Sequence, residues 1–303
     1  MTDKKQVLVT GGAGFVGSAV VDACRALGND VVVIDDLSTG ARANVAPGVS
    51  VRVADVSDSR AVADAIGGER FDAVVHLASK TKVVESMGQP ELYERVIVGG
   101  TRVMLGAARR AGATTFVNFS SGGVVYGETP ECASETREIG PRSPYGTYKA
   151  EAEALVAASG LNAVTLRPAN IYGRRQRPDL EGGVVAIFMR CWREGTPLTV
   201  FGDGTMVRDY VYANDVAEFV IAAIDRGARG VYNVGTGVAT SVNDLIDAMT
   251  EVLGPPPGIV HAPERPGELK RSCIDPRKAA RDGLWKPRTS LADGLRALAA
   301  ALP

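Results

Sequence analysis

Tyr145 and Lys149, in the segment SPYGTYKAEAE, have the residue types and the spacing to move a proton. Residues four apart on a helix share a face, so a Lys149 ammonium reaches toward the Tyr145 ring and favours its phenolate, below the ordinary tyrosine value of about 10. Tyr148, beside Lys149 in sequence, is less well placed. Ser143 followed by Pro144 predicts a helix start, with Tyr145 in the first turn, where the helix dipole favours a negative oxygen. Tyr and Lys four apart also occur on ordinary helix surfaces, so the pair gains meaning only from an oxidant held beside it.

Such an oxidant is encoded upstream. Gly11, Gly14 and Gly17 follow the apolar run QVLVT and open a helical stretch, and Asp35 closes the next apolar run 18 residues after Gly17. Strand, glycine turn, helix and acidic residue are the parts of a dinucleotide site. Glycine admits the pyrophosphate close to the backbone, and the helix N-terminus meets its charge. Asp35 is suited to bond the adenosine ribose diol and to repel a 2′-phosphate, so the expected cofactor is NAD rather than NADP. Asp55 and Val56, after a third apolar run, are candidate contacts to the adenine edge, with a solvated strand end as the plainer alternative. His76, alone at the close of an apolar strand, reads as structural.

These groups must be positioned by regular elements. In the first half, short β-branched runs (QVLVT, DVVVIDD, VSVRVAD, FDAVVHLA, TFVNFSS) alternate with Ala-rich helical stretches (SAVVDACRALG, TRVMLGAARRAG). That alternation predicts βαβ units and an α/β fold with a Rossmann-like, doubly wound parallel sheet. Beyond Lys149 the pattern loosens, and NAVTLRPANIYG, PLTVFGDG and RDYVYANDVAEFVIAAI predict a smaller C-terminal α/β lid at the sheet's edge. GPPPG and RPGE read as loops.

With 303 residues, 45% hydrophobic and 23% charged, and a formal net charge of -1, the chain has the composition of an ordinary globular protein. Neither nucleic acid nor an acidic membrane surface is implied as a partner. Apolar runs such as VVVI are far short of the roughly 20 residues that span a bilayer, and MTDKKQVLVT lacks a signal-peptide core, so the cytoplasm is the default expectation. Cys24, Cys132, Cys191 and Cys273 are scattered without a CxxC pair, which predicts neither a disulfide framework nor a zinc site. With two histidines only, no metal is expected.

Taken in order, TGGAGFVGS, DDLSTG, HLAS, SSGGVVYGE, SPYGTYK, LRPANIYG, EGGVVAIF, PLTVFGDG, RDYVYANDV, YNVGTG, TSVNDLI and RPGELKRS make nearly the whole chain resemble an extended short-chain dehydrogenase/reductase of the nucleotide-sugar epimerase and dehydratase group. Within that group SSGGVVYGE, EGGVVAIF and RPGE are most similar to UDP-glucose 4-epimerases. The resemblance implies that Tyr145 takes the proton of the sugar 4-hydroxyl while hydride leaves C4 for NAD, and that the 4-keto sugar is then reduced on its other face. It also implies that Lys149 holds the nicotinamide ribose and that a hydroxyl of SSGG relays the proton. Relatives place that hydroxyl at the position of Gly122 or one residue before it, which here selects Ser121. Carried over motif by motif, the cofactor set is Gly11, Gly14, Phe15, Val16, Gly17, Asp35, Asp36, Ser38, Thr39, Gly40, Asp55, Val56, Leu77, Ala78, Ser79, Lys80, Ser120, Tyr145 and Lys149. The substrate set is Ser121, Gly122, Tyr145, Asn170, Val184, Val200, Arg208, Arg265 and Glu268. Permanently charged guanidinium groups suit a diphosphate.

The implied division is a NAD-binding body of residues 1–166 with about 209–234, and a nucleotide-sugar lid of residues 167–208 and 235–303. A homodimer formed through the helix carrying Tyr145 is likewise implied. Dehydratases of this group keep acidic residues just before VYG, where this chain has Gly122, Gly123, Val124 and Val125, so epimerisation of UDP-glucose and UDP-galactose is the expected reaction. Ile97, at a position where asparagine is usual, and Lys80 and Lys82, after HLAS, depart from the pattern. They leave open a dehydratase, including a UDP-hexosamine 5,6-dehydratase, and a UDP-glucuronate 4-epimerase. An arginine that relatives acting on uronic acids carry near Gly183 is absent. The GRRQRPD loop, with Arg174, Arg175 and Arg177, reads as a solvated basic loop. A non-catalytic NAD-binding regulator is the remaining alternative.

Overall fold

The structure, a computed structural model, describes residues 4–179, 183–265 and 268–301. Leu180 to Gly182, which include the start of EGGVVAIF, and Pro266 and Gly267 of RPGE lie outside the described residues. The strands are β1 (Gln6–Thr10), β2 (Asp30–Asp35), β3 (Ser50–Val53), β4 (Ala73–His76), β5 (Thr115–Phe119), β6 (Ala163–Pro168), β7 (Asn170–Tyr172), β8 (Leu198–Phe201), β9 (Val207–Arg208), β10 (Tyr210–Tyr212), β11 (Gly230–Val234), β12 (Thr240–Ser241), β13 (Ile259–Ala262) and β14 (Arg271–Ser272). The helices are α1 (Phe15–Ala26), α2 (Ser59–Ile66), α3 (Val83–Gly88), α4 (Pro90–Glu94), α5 (Gly100–Arg110), α6 (Gly122–Val125), α7 (Pro144–Ala157), α8 (Val184–Glu194), α9 (Ala213–Arg226), α10 (Val242–Leu253), α11 (Arg277–Arg281) and α12 (Leu291–Ala299). None is long and apolar enough to cross a membrane.

Seven strands make one parallel sheet in the order β11-β6-β5-β4-β1-β2-β3. The chain enters at β1, winds outward to β3, then returns to β4 and winds the other way. Between β1 and β4 the winding reverses, and a crevice opens at their carboxyl ends. Because helices cover both faces, β1 is apolar on both: Val7, Leu8 and Val9 are all fully buried. Alternate residues feed two cores. Val7, Val9, Val33 and Val75 pack toward Val20 of α1 and Phe219 of α9, while Leu8, Ile34 and Val74 pack toward Val62 of α2 and Met104 of α5. Each such side chain contributes roughly 1.5–3 kcal/mol by leaving water.

A third core, with Tyr172, Phe188, Leu198, Tyr210, Leu245 and Leu295, lies under the short sheets β7–β10, β8–β13 and β12-β9-β14. Ala279 of α11, with Leu284 and Trp285, packs instead into the main-sheet core, although these residues fall in the range expected for the lid. One expectation is overturned outright: Cys132 and Cys273 form a disulfide across 141 residues of sequence. Their spacing carries no signal, because the two meet only where the loop after α6 runs beside the end of β14, with Ala133 N–H donating to the Cys273 carbonyl at 2.9 Å. Cys24 and Cys191 are free and buried.

Candidate active site

The crevice is a cleft of about 670 Å³ running from the tip of β2 across β1, β4 and β5 to the short strands beyond β6. At its sheet end Gly11, at φ +71°, turns the chain out of β1, and a Cβ on Gly17 would lie 2.0 Å from the Gly11 carbonyl oxygen. Only glycine permits this tight crossing. Gly14 then caps α1 without offering a side chain to its first-turn N–H groups, which leaves them for an anion. Asp35 is buried; its carboxylate accepts N–H bonds from Ala13 (2.9 Å) and Leu37 (2.8 Å), so it braces the glycine turn as well as facing the cleft. Burial raises its pKa, and those N–H bonds oppose the rise. Asp36 is exposed and accepts from the Ser38 N–H and hydroxyl. Deeper in, the Ser120 hydroxyl is buried without a hydrogen-bond partner among the described residues. A turn that only glycine fits, uncapped helix donors and an orphaned hydroxyl together suit a bound dinucleotide.

At the middle of the cleft stands α7. Ser143 caps it, its hydroxyl accepting the Gly146 N–H at 3.2 Å, and Pro144 occupies the first position, so Tyr145 is in the first turn as the sequence predicts. Lys149 Nζ lies 5.9 Å from the centre of the Tyr145 ring and donates to the Phe119 carbonyl at 2.7 Å. Burial lowers its pKa from 10.5 to about 8, with Glu153 opposing the fall. His76 is buried at the end of β4: its Nδ1 is 2.8 Å from the Thr10 hydroxyl, and burial followed by the Lys149 charge pushes its pKa down to about 3. Ile97, in a π-helical turn from Arg95 to Gly99, packs with Tyr93, Tyr145 and Ala152 rather than with water. Its carbonyl accepts the Thr101 hydroxyl at 2.6 Å.

Ser121 and Gly123 line the cleft opposite. A Cβ on Gly123 would point at Asn170 Oδ1 (3.5 Å), Ser121 Oγ (3.8 Å) and Ser272 Oγ (3.9 Å), so glycine here leaves room among three polar groups. Toward the short sheets Arg208 pairs with Glu268 at 3.1 Å, and the Arg265 guanidinium stacks 3.9 Å over the Phe201 ring.

Of the residues expected in the two sites, four do not line this cleft. Gly40 lies behind the glycine turn, against Ala13 and Asp35, and Gly122 lies against Ile274 and the Arg167 carbonyl. Val184 packs beside the third core at the start of α8. Val200 is 1% exposed because its side chain alternates inward on β8, leaving Phe201 beneath Arg265. Lys80 lines the cleft and Lys82 does not. Reading the sequence missed Met87, Arg142 and Gln176, which lie in irregular or very short segments without periodicity, and discounted Arg177. Arg177 is held by Asp179 and the Thr39 carbonyl.

The sequence profile of the NAD dependent epimerase/dehydratase family matches residues 7–235. A UDP-glucose 4-epimerase of Mycolicibacterium smegmatis is 37% identical over 301 residues, covering 96% of both chains. The crystal structure of the Thermus thermophilus UDP-glucose 4-epimerase in complex with NAD superposes with a TM-score of 0.90 at 40% identity, again covering 96% of each. That of the Thermotoga maritima UDP-glucose 4-epimerase with UDP-glucose gives 0.91 at 37%, with the same coverage. With the glycine turn, the Tyr–Lys helix and the cleft that joins them, the chain belongs to the NAD dependent epimerase/dehydratase family.

Proposed function

We propose that this protein is an NAD-dependent nucleotide-sugar 4-epimerase that interconverts UDP-glucose and UDP-galactose. The observation that carries the reading is a single cleft with the dinucleotide cradle at one end, the Arg208–Glu268 pair and Arg265 at the other, and Tyr145 between them. NAD, when bound, would supply a hydride acceptor for the sugar C4. Gly11, Gly14 and Gly17 with the N-terminus of α1 would hold its pyrophosphate, Asp35 its adenosine ribose, and Ser120 and Lys149 the nicotinamide side.

Tyr145 takes the proton of the sugar 4-hydroxyl and gives one back to the ketone. Lys149 keeps the phenolate ionised through its nearby positive charge. Ser121 orients the hydroxyl, Asn170, Arg208 and Arg265 take the diphosphate, and Glu268 takes a ribose hydroxyl. Among the described residues the carboxylates lining the cleft are Asp35, Asp36, Asp55 and Glu268, none of them in the segment around Ser121. A 5,6-elimination needs an acid there to protonate the leaving hydroxyl, so epimerisation is the better-supported chemistry. The reading includes a homodimer paired through α7, whose Thr147, Glu151 and Ala154 form one exposed stripe.

The test is incubation of the purified protein with UDP-galactose, followed by NMR. UDP-glucose should accumulate to equilibrium without net consumption of NAD; formation of an unsaturated or keto sugar, or no conversion, overturns the reading.

A further inference from the structure

The first turn of α7 holds the candidate base, and its backbone donors are satisfied in an unusual way. Pro144 has no N–H, and the Gly146 N–H goes to the Ser143 hydroxyl at 3.2 Å. The Thr147 N–H makes the first intrahelical bond, to the Ser143 carbonyl at 2.9 Å. The N–H of Tyr145 itself remains, and its acceptor comes from a different element: Ser86 Oγ of α3, at 3.3 Å. Ser86 is fully buried, and its hydroxyl proton is committed to the Val83 carbonyl at 2.6 Å. A hydroxyl has one proton to donate, so with that proton engaged a lone pair is left facing Tyr145.

The same short helix is tied down a second time. The Tyr93 hydroxyl donates to the Glu85 carboxylate at 2.8 Å and accepts the Lys82 N–H at 3.1 Å, while its ring stands edge-on to Tyr145 at 6.3 Å between centres. Tyr93 is fully buried, so backbone and ring of Tyr145 are both held from the α3–α4 segment. The other side of α3 borders the cleft through Val83, Val84 and Met87, and Val84 and Met87 are 70% and 64% exposed. One buried hydroxyl thus joins the wall of the cleft to the backbone of the base.

We propose that Ser86 is a positioning residue for the reaction: through its bond to the Tyr145 N–H it fixes the depth and angle at which the phenol enters the cleft, and it couples that position to α3. This rests on the reading of Tyr145 as the base. A phenol displaced by a fraction of an ångström still permits binding but misses the reacting hydroxyl, so the cost falls on kcat. A role confined to folding would instead lower the amount of active enzyme and leave the per-site kinetics alone.

The experiment compares Ser86→Thr with Ser86→Val, two side chains of equal shape that differ in the hydroxyl, together with Ser86→Ala and Tyr145→Phe. Steady-state UDP-galactose conversion is normalised to active sites by bound NAD. Ser86→Val and Ser86→Ala should lower kcat about tenfold with KM within twofold of the parent, and Ser86→Thr should keep kcat within threefold. A strain from the added methyl affects Thr and Val alike, so their ratio still reports the hydroxyl. Equal kcat for Thr and Val, or a loss seen only in KM, overturns the positioning role while an inactive Tyr145→Phe leaves the base in place. If Tyr145→Phe converts substrate at the parental rate, the base reading falls and the role of Ser86 with it.

Discussion

The sheet side of the cleft and the side built on the short strands hold their functional groups by different means. On the sheet side Asp35 closes β2 and Tyr145 and Lys149 stand in the first two turns of α7, each held from the protein interior: Asp35 by the Ala13 N–H, Lys149 on the Phe119 carbonyl, Tyr145 on Ser86. On the other side Arg208, Arg265 and Glu268 come from a three-stranded sheet and the loops beside it, and their contacts are one partly exposed ion pair and a stack on Phe201. The difference teaches a division of labour. Buried, over-determined positions suit the bond-making step, where small displacements matter, whereas charges on loops and short strands, held by a single pair or stack, suit binding and tolerate adjustment.

The largest effect should therefore follow from Tyr145→Phe. It is expected to lower kcat for UDP-galactose about a thousandfold, the middle of the range for loss of a general base, with NAD retained and the fold intact by circular dichroism. Next, Lys149→Met should lower kcat on the order of a hundredfold and yet stabilise the fold at neutral pH. The buried ammonium has its pKa lowered from 10.5 to about 8, so the folded chain binds fewer protons than the unfolded one between those values. Parental stability thus rises as pH climbs from about 8 to 10.5. The Met variant, free of that penalty, should be more stable by on the order of 2 kcal/mol at pH 7, after allowing for the lost bond to Phe119, and its advantage should vanish above pH 10.5. Denaturant titrations at pH 7 and above 10 check the sign.

Across the cleft, Arg208→Ala should raise KM for UDP-galactose roughly thirtyfold and leave kcat within threefold, because it removes charge-assisted bonds to the substrate that are the same in ground and transition states. If kcat falls as far as KM rises, the division between the two sides is wrong. The smallest catalytic effect belongs to the disulfide. Cys132→Ser with Cys273→Ser should lower stability by about 2–4 kcal/mol with activity nearly unchanged at 25 °C. Thiol titration of the denatured protein should find two reactive thiols, Cys24 and Cys191, and four after reduction.

How much of this was legible in the sequence follows the same line. β-branched runs alternating with Ala-rich ones produce a parallel sheet because buried strands and amphipathic helices have local periods, so β1, β2, β4 and β5 lie where QVLVT, DVVVIDD, FDAVVHLA and TFVNFSS place them. The glycine turn and the helix start at Ser143 and Pro144 are legible for the same reason: both are local backbone requirements. Val200, expected to meet the nucleotide through its backbone, turns its side chain into the third core, because a motif says which strand approaches the site but not which way a given side chain points. Gly40 and Gly122 support the cleft from behind, a distinction that adjacency to a motif does not reveal.

The sequence by itself determined the sheet, the dinucleotide turn and the Tyr–Lys helix, since each depends on residues within about a dozen positions of one another. Only the tertiary structure decided what those elements meet. Ser86 reaches the Tyr145 N–H across 59 residues, Arg208 meets Glu268 across 60, and Cys132 finds Cys273 across 141, contacts between distant segments whose spacing in the chain has no period to announce them.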